Sequence, residues 1–266
     1  MAQGTLKIHT ENILPIIKRS LYSDQDIFVR ELVSNASDAL SKLQVLRDRN
    51  LVDVKDEDLK IELLIDKEAR TLQFIDSGIG MTAGEVEKYI AQVAFSGAEE
   101  FLEKYQNEEQ IIGHFGLGFY SAYIAADTVT IDTLSYQSSE PAFWSCSGSS
   151  DYTLDVGTRA ARGTTITLHL NSESDEFLEE SKLREILQRY CLFFPYPIYL
   201  NGKRINEKEP LWLKAAADCE PQEYLDFYHT LYPMEPDPIF WIHLNVDVPF
   251  HLKRSEERRV GKECRL

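Results

Sequence analysis

The chain has 266 residues, 43% of them hydrophobic, and a formal net charge of −16. That is apolar material enough for one large domain, or a domain plus a fragment, and the acidity argues against a nucleic-acid-binding surface. No apolar run reaches membrane-spanning length, and the opening MAQGTLKIHTENILP lacks the charged-then-apolar layout of a secretory signal, so a cytosolic protein without membrane contact is expected.

The first element with a clear period is IFVRELVSNASDALSKL, residues 27 to 43. Val29, Leu32, Val33, Ala36, Leu40 and Leu43 form one apolar helical stripe, while Glu31, Asn35 and Asp38 line another face at i, i+4 and i+7. Such a polar line is ordinarily a solvated surface. Asn and Asp are poor interior helix residues, however, because their side chains compete for backbone hydrogen bonds. A carboxylate, an amide oxygen and a second carboxylate in a row could instead hold a hydrated magnesium ion and a water, since hard cations take oxygen ligands.

Residues 60 to 82, KIELLIDKEARTLQFIDSGIGMT, read as an antiparallel hairpin: Ile61, Leu63 and Ile65 alternate, DKEAR turns, and TLQFID resumes as a strand. Asp76 then sits at a strand end before Gly78 and Gly80. Taken alone this is a plain turn; a carboxylate beside glycines can also accept a hydrogen bond from an exocyclic amine such as adenine's, with Ile79 and Met81 as apolar lining. In GHFGLGFYSAYIAA, 113 to 126, glycines precede a helical pattern and could present backbone N–H groups to an anion, although neither a Walker A loop nor a firm dinucleotide fingerprint is present. RGTTITLHL, 162 to 170, is a strand with Ile166, Leu168 and Leu170 on one face and Thr165, Thr167 and His169 on the other; His169 reads as a surface or packing residue.

Beyond these, 209 to 240 is Pro-rich and acidic, which predicts a connection and a domain boundary near 206 to 212. IFWIHLNVDVPF alternates as a strand with little sequence left to pair with, the opening of a second domain cut short. The last fourteen residues hold six Lys or Arg against three Glu, a break in composition that suggests a non-native basic tail. The expected division is 1–208, 209–252 and 253–266. Cys146, Cys191, Cys219 and Cys264 form no CxxC pair and have no His at ligand spacing, so free thiols are expected.

In this order, ELVSNASDAL, DSGIGM, GHFGLGFYS and RGTTITLHL resemble the four nucleotide-binding boxes of the superfamily that joins gyrase, the heat-shock protein 90 chaperones, histidine kinases and MutL. HTENILPIIKRSLYSDQDIFVRELVSNASDAL, AFSGAEEF and IIGHFGLGFYSAY narrow the resemblance to the amino-terminal domain of heat-shock protein 90, most closely its bacterial, high-temperature protein G type, over about residues 5 to 252. The resemblance implies an α+β fold, the two-layer α/β sandwich of the Bergerat type, with a mixed, largely antiparallel sheet covered on one face by helices and ATP or ADP held between the layers.

It also implies roles. Glu31 would be the general base that orients the attacking water, Asn35 the Mg2+ ligand, and Asp38 a support for the site. Asp76 would bind the adenine amine, helped by Gly80 and Thr164 through ordered water, with Met81 against the base. Gly116, Gly118 and Phe119 would offer backbone N–H groups to the phosphates. Ser96 to about Gly118 would form a lid with hinges at Gly97 and Gly113, Phe95 stands where many relatives have a Lys, and Arg30 is expected to be a structural ion-pair partner. The whole family protein is a homodimeric clamp acting on client proteins, possibly with co-chaperones. This chain lacks most of the middle domain and the dimerisation region, so it is expected to be mostly monomeric and to hydrolyse ATP very slowly. The alternatives are a gyrase-type ATPase domain, a histidine kinase domain, which would lack the base at Glu31, and a nucleotide-binding module without turnover.

Overall fold

The computed structural model describes residues 25–91, 118–148, 151–207, 210–232, 234–246 and 252–258. The chain divides into two units, Met1–Glu207 and Lys208–Leu266.

In the first unit the expected stripe builds helix α1, Ile27–Asp48, with Phe28, Val29, Leu32, Val33, Leu40 and Leu43 no more than 1% exposed. Each such side chain contributes about 1.5–3 kcal/mol by leaving water. The helix ends where Asn50 turns left-handed (φ 58°) and Leu51 N–H reaches back to the carbonyl of Leu46, a terminus that Asn tolerates because its short side chain permits that conformation.

Strands β1 (Ile61–Asp66) and β2 (Thr71–Asp76) form the expected hairpin, with Ile61 opposite Asp76. Asp66 Oδ1 accepts from the N–H groups of Glu68 and Ala69 and so fixes the turn. Helix α2 (Ala83–Tyr89) starts at a capping box between Thr82 and Glu85. Strands β3 (Ala126–Leu134), β4 (Ala142–Cys146), β5 (Tyr152–Val156) and β6 (Gly163–Leu170) follow, then helix α3 (Glu180–Tyr190) and strands β7 (Ile198–Leu200) and β8 (Lys203–Arg204). They make one eight-stranded sheet in the order β5-β4-β3-β6-β2-β1-β7-β8. Every pairing is antiparallel except β1 with β7. The sheet is therefore mixed and largely antiparallel, as expected.

One face of this sheet carries the core. Ile61, Leu63, Leu72, Phe74, Val129, Ile131, Trp144 and Leu168 are all buried at alternate strand positions. Phe28 of α1 meets Phe74 and Phe177 edge-on at 6.5 and 4.8 Å between ring centres. Asp76, Thr133 and Thr164 occupy the same alternation, so these three polar side chains are buried on a largely apolar face.

Residues Gly118–Ile124 depart from the α-helical expectation: they form a 3-10 helix. Phe119, Tyr120, Ser121, Ala122 and Tyr123 are all buried, so no one-sided stripe imposes the 3.6-residue period.

In the second unit the Pro-rich stretch is not wholly a connection. It contains helix α4, Pro221–Leu231, because Pro at the first helical position starts a helix rather than breaking it, and Tyr224 and Tyr228, one turn apart, are buried. Strand β9 (Phe240–Val246) also has a partner, contrary to expectation: β10, Leu252–Arg258, pairs with it antiparallel, Leu252 opposite Val246. An antiparallel ladder is made by backbone groups, so a basic composition does not prevent it. Tyr224 stacks on Trp241 at 5.1 Å and its hydroxyl lies 2.8 Å from His243 Nδ1.

Candidate functional site

The polar line on α1 is not a solvated face. Asp38 is 6% exposed, Glu31 and Asn35 are half-buried, and Ser34, Ser37 and Ser41 beside them are buried as well. Gly118 faces this line so closely that a Cβ added there would stand 2.8 Å from Glu31 Oε2 and 3.6 Å from Asn35 Nδ2. Glycine thus lets the backbone of the third sequence box approach the acid of the first without displacing its carboxylate. Arg30 is an ion-pair partner, and its partner is Glu31 itself, at 2.6 Å from Nη2 to Oε1. One turn beyond Asp38 lies Lys42, whose ammonium is pushed below its ordinary pKa by burial and held up in part by the charges of Asp38 and Glu85.

Asp76 ends β2 on the buried face and its Oδ1 accepts from Gly78 N–H at 2.8 Å. Burial raises its pKa from 3.8 to about 6, against the stabilising effects of the Gly78 N–H, the Arg159 charge, the Thr164 backbone and the Arg162 charge. The turn that follows is pressed onto α1. Ile79 N–H donates to the carbonyl of Ala39 at 3.1 Å, and a Cβ on Gly78 would lie 2.7 Å from Ala39. Gly80 is left-handed (φ 65°), and a side chain there would meet the carbonyl of Leu134 at 1.9 Å. Ile79 and Met81 are partly buried and pack against the core.

Thr164 is directly opposite Asp76 in the β2–β6 register. Its hydroxyl lies 3.0 Å from that of Thr133, which also accepts from Met81 N–H at 3.0 Å and reaches the Gly163 carbonyl at 3.2 Å. The structure therefore brings Gly118 close to Glu31 and Asn35 and, separately, links Asp76, Thr164 and Met81 through the β2–β6 pair and the Thr133 hydroxyl, with Gly80 against Leu134 and Gly78 against Ala39 of the helix. Phe119 is buried edge-on to Trp144. Gly116, Phe95 and most of the expected lid with Gly97 and Gly113 lie outside the described residues.

Sequence reasoning missed Thr133, Arg159 and Arg162. Thr133 continues the inward alternation of Val129 and Ile131, and a polar residue at such a position is the available signal. Both arginines precede Gly163, just ahead of β6, and bond the carbonyls of Asp76, Ser77 and Gly78. Charged residues in a connection give no such signal in one sequence.

The chemistry of the residues is compatible with a nucleotide: one buried carboxylate, Asp76, has Gly78 N–H and two arginine charges beside it, and at Gly118 the backbone comes close to an acid and an amide. No group of three or more His, Cys, Asp or Glu gathers as a metal-ligand set among the described residues, so a cation here would take most of its ligands from phosphate and water.

Residues 22–180 match the family of histidine kinase-, DNA gyrase B- and HSP90-like ATPases, and the chain belongs to that family. All ten candidate residues, Glu31 to Thr164, fall inside the match. Within the family the chain is similar to chaperones named HtpG. It is 45% identical to that of Porphyromonas gingivalis W83 over an alignment of 267 positions that covers 94% of this chain and 39% of the relative. The corresponding figures are 46% over 271 positions (95% and 39%) for Bacteroides fragilis 638R, and 38% over 249 positions (90% and 41%) for Fusobacterium nucleatum. The chain thus spans about two fifths of the length of the curated relatives it matches. No described helix is long and apolar enough to cross a membrane.

Proposed function

We propose that this chain is the ATP-binding and hydrolysing domain of a molecular chaperone of the heat-shock protein 90 kind, in which nucleotide drives a clamp that acts on client proteins. The observation that carries the proposal is Asp76: a carboxylate 6% exposed, at the end of a strand, beside glycines whose side-chain space is taken by neighbouring backbone.

In this account Asp76 accepts the adenine amine, Gly80 and Thr164 assist through ordered water, and Met81 packs against the base. Gly118 and Phe119 offer backbone N–H groups to the phosphates, for which the first turn of a 3-10 helix is suited because its N–H groups lack helical acceptors, and Gly116, outside the described residues, is assigned the same role from the resemblance alone. Asn35 holds Mg2+ through its amide oxygen, Asp38 supports the site, and the bound ion supplies charge neutralisation on the phosphates. Glu31 is the general base that takes the proton of the attacking water, its carboxylate positioned by Arg30.

Residues 1–208 are the ATP-binding domain in this account, 209–252 a linker and the start of the middle domain, and 253–266 a non-native tail. The whole protein is a cytoplasmic stress-response homodimer, with co-chaperones as further candidate partners beside its clients; the present chain is mostly monomeric, turns over slowly and binds no nucleic acid. Relatives named as chaperones do not favour the gyrase-type alternative. The test is ATP turnover of the chain and of Glu31→Ala. Loss of turnover with Mg-ADP binding kept supports the assignment, and equal turnover in both overturns it.

A further inference from the structure

Arg159 and Arg162 lie in the connection between β5 and β6, both half-buried, and they act on one short turn. Arg159 Nη2 donates to the carbonyl of Asp76 at 3.0 Å and to that of Arg162 at 3.2 Å, while Nη1 donates to Thr165 Oγ1. Arg162 Nε donates to the carbonyls of Ser77 at 3.2 Å and Gly78 at 3.1 Å, and its Nη2 to Ser77 again. Three consecutive carbonyls, Asp76 to Gly78, are thus held by two guanidinium groups. None of these bonds goes to the Asp76 carboxylate, so both charges sit beside it without occupying its oxygens.

The approach is built into the backbone. Gly163 has φ 118°, and a Cβ there would lie 2.1 Å from the Asp76 carbonyl and 2.8 Å from Arg159 Nη2. Arg159 is itself tied down: Asp132 on β3 accepts from the Thr158 N–H and hydroxyl and from the Arg159 N–H.

We propose that Arg159 and Arg162 are positioning residues for nucleotide binding: they clamp the Asp76–Gly78 turn by its carbonyls, set two positive charges beside the Asp76 carboxylate and hold it aimed for the base. This rests on the nucleotide reading of the site. Direct carboxylate–arginine pairing would have consumed the acceptor; carbonyl-directed arginines supply charge and rigidity and leave it in place. Other charged groups on the elements around this turn include Asp58 ahead of β1, whose charge acts on Arg162, Lys60, whose backbone bonds Ser77 and whose ammonium pairs with Glu62 on β1 at 3.0 Å, Asp132, whose charge acts on Arg159, and Asp38 and Lys42 on α1.

The experiment compares the chain with Arg159→Met and Arg162→Met, and with the Lys variant at each position, in two readouts. The first is the midpoint of Asp76 ionisation in the ligand-free protein, followed by carboxyl 13C NMR. The second is Mg-ADP affinity as a function of pH. With melting temperatures recorded alongside, each Met variant is expected to raise the Asp76 midpoint by about one pH unit. Each is also expected to weaken ADP at neutral pH by about tenfold and to move the pH at which binding fails upward, with Lys recovering part of the charge effect. Unmoved midpoints overturn the proposal whether or not ADP binds, and so does an ADP pH profile that does not shift. If midpoints move but the parent chain binds no ADP, the clamp stands and the nucleotide reading of the site falls.

Discussion

Gly118 and Glu31 are in contact through space that a single methyl group would fill: a Cβ on Gly118 would stand 2.8 Å from Glu31 Oε2. The atom in the way is the far end of a flexible side chain, so Gly118→Ala is expected to fold and to displace the carboxylate instead. ATP turnover should fall on the order of a hundredfold, the cost of misplacing a reacting group by about 1 Å. Mg-ADP affinity should change little. Steady-state kinetics beside calorimetric titration separates the two; equal losses in both would mean that Gly118 serves binding and not the placement of Glu31.

Thr133 is completely buried and joins Met81, Gly163 and Thr164 through one hydroxyl. Thr133→Val keeps the shape and leaves the Met81 N–H without its acceptor. The expected loss is about 1–3 kcal/mol of unfolding free energy in urea, the cost of a buried group left unpaired. A midpoint and slope unchanged from the parent would remove this network from the account.

The pH dependence follows from Asp76. Burial holds its folded pKa at about 6, above the ordinary 3.8, so the carboxylate is ionised at neutral pH and takes up a proton as pH falls through about 6. An acid shifted in this direction makes the fold more stable when protonated, between those two values, so loss of binding in that window is not loss of fold. An amine donor needs the ionised acceptor. Adenosine, which carries no phosphate to titrate, should bind with constant affinity above about pH 7 and up to about tenfold more weakly per pH unit below 6. NMR titration at pH 5, 6 and 7.5 measures this, and a flat profile would disconnect Asp76 from the base.

Periodicity made part of the geometry legible, while the roles given to these residues came from the resemblance of the four segments to a known family. Glu31, Asn35 and Asp38 share a helical face, and Asp76 ends an alternating strand; in both cases spacing fixes direction. What spacing could not give was the depth of burial at Asp38, since a polar line beside an apolar stripe is the same whether water or another element covers it. Nor could it give Arg159 and Arg162, whose partners are carbonyls more than eighty residues away along the chain. The 3-10 form of Gly118–Ile124 escaped for a related reason: a segment buried all round has no stripe to read. Pro221 misled in the opposite sense, since the residue that marks a break inside a helix marks a start at its first position.

The central claim is that Asp76 reads the adenine base, and calorimetric titration of Mg-ADP into the chain and into Asp76→Asn tests it most directly. Asn keeps the size and removes the buried charge, so the variant should fold with no loss of melting temperature. The account predicts saturable binding to the parent and at least about a tenfold to hundredfold loss in the variant, as for a hydrogen bond to a charged group. Equal affinity in the two proteins would contradict it.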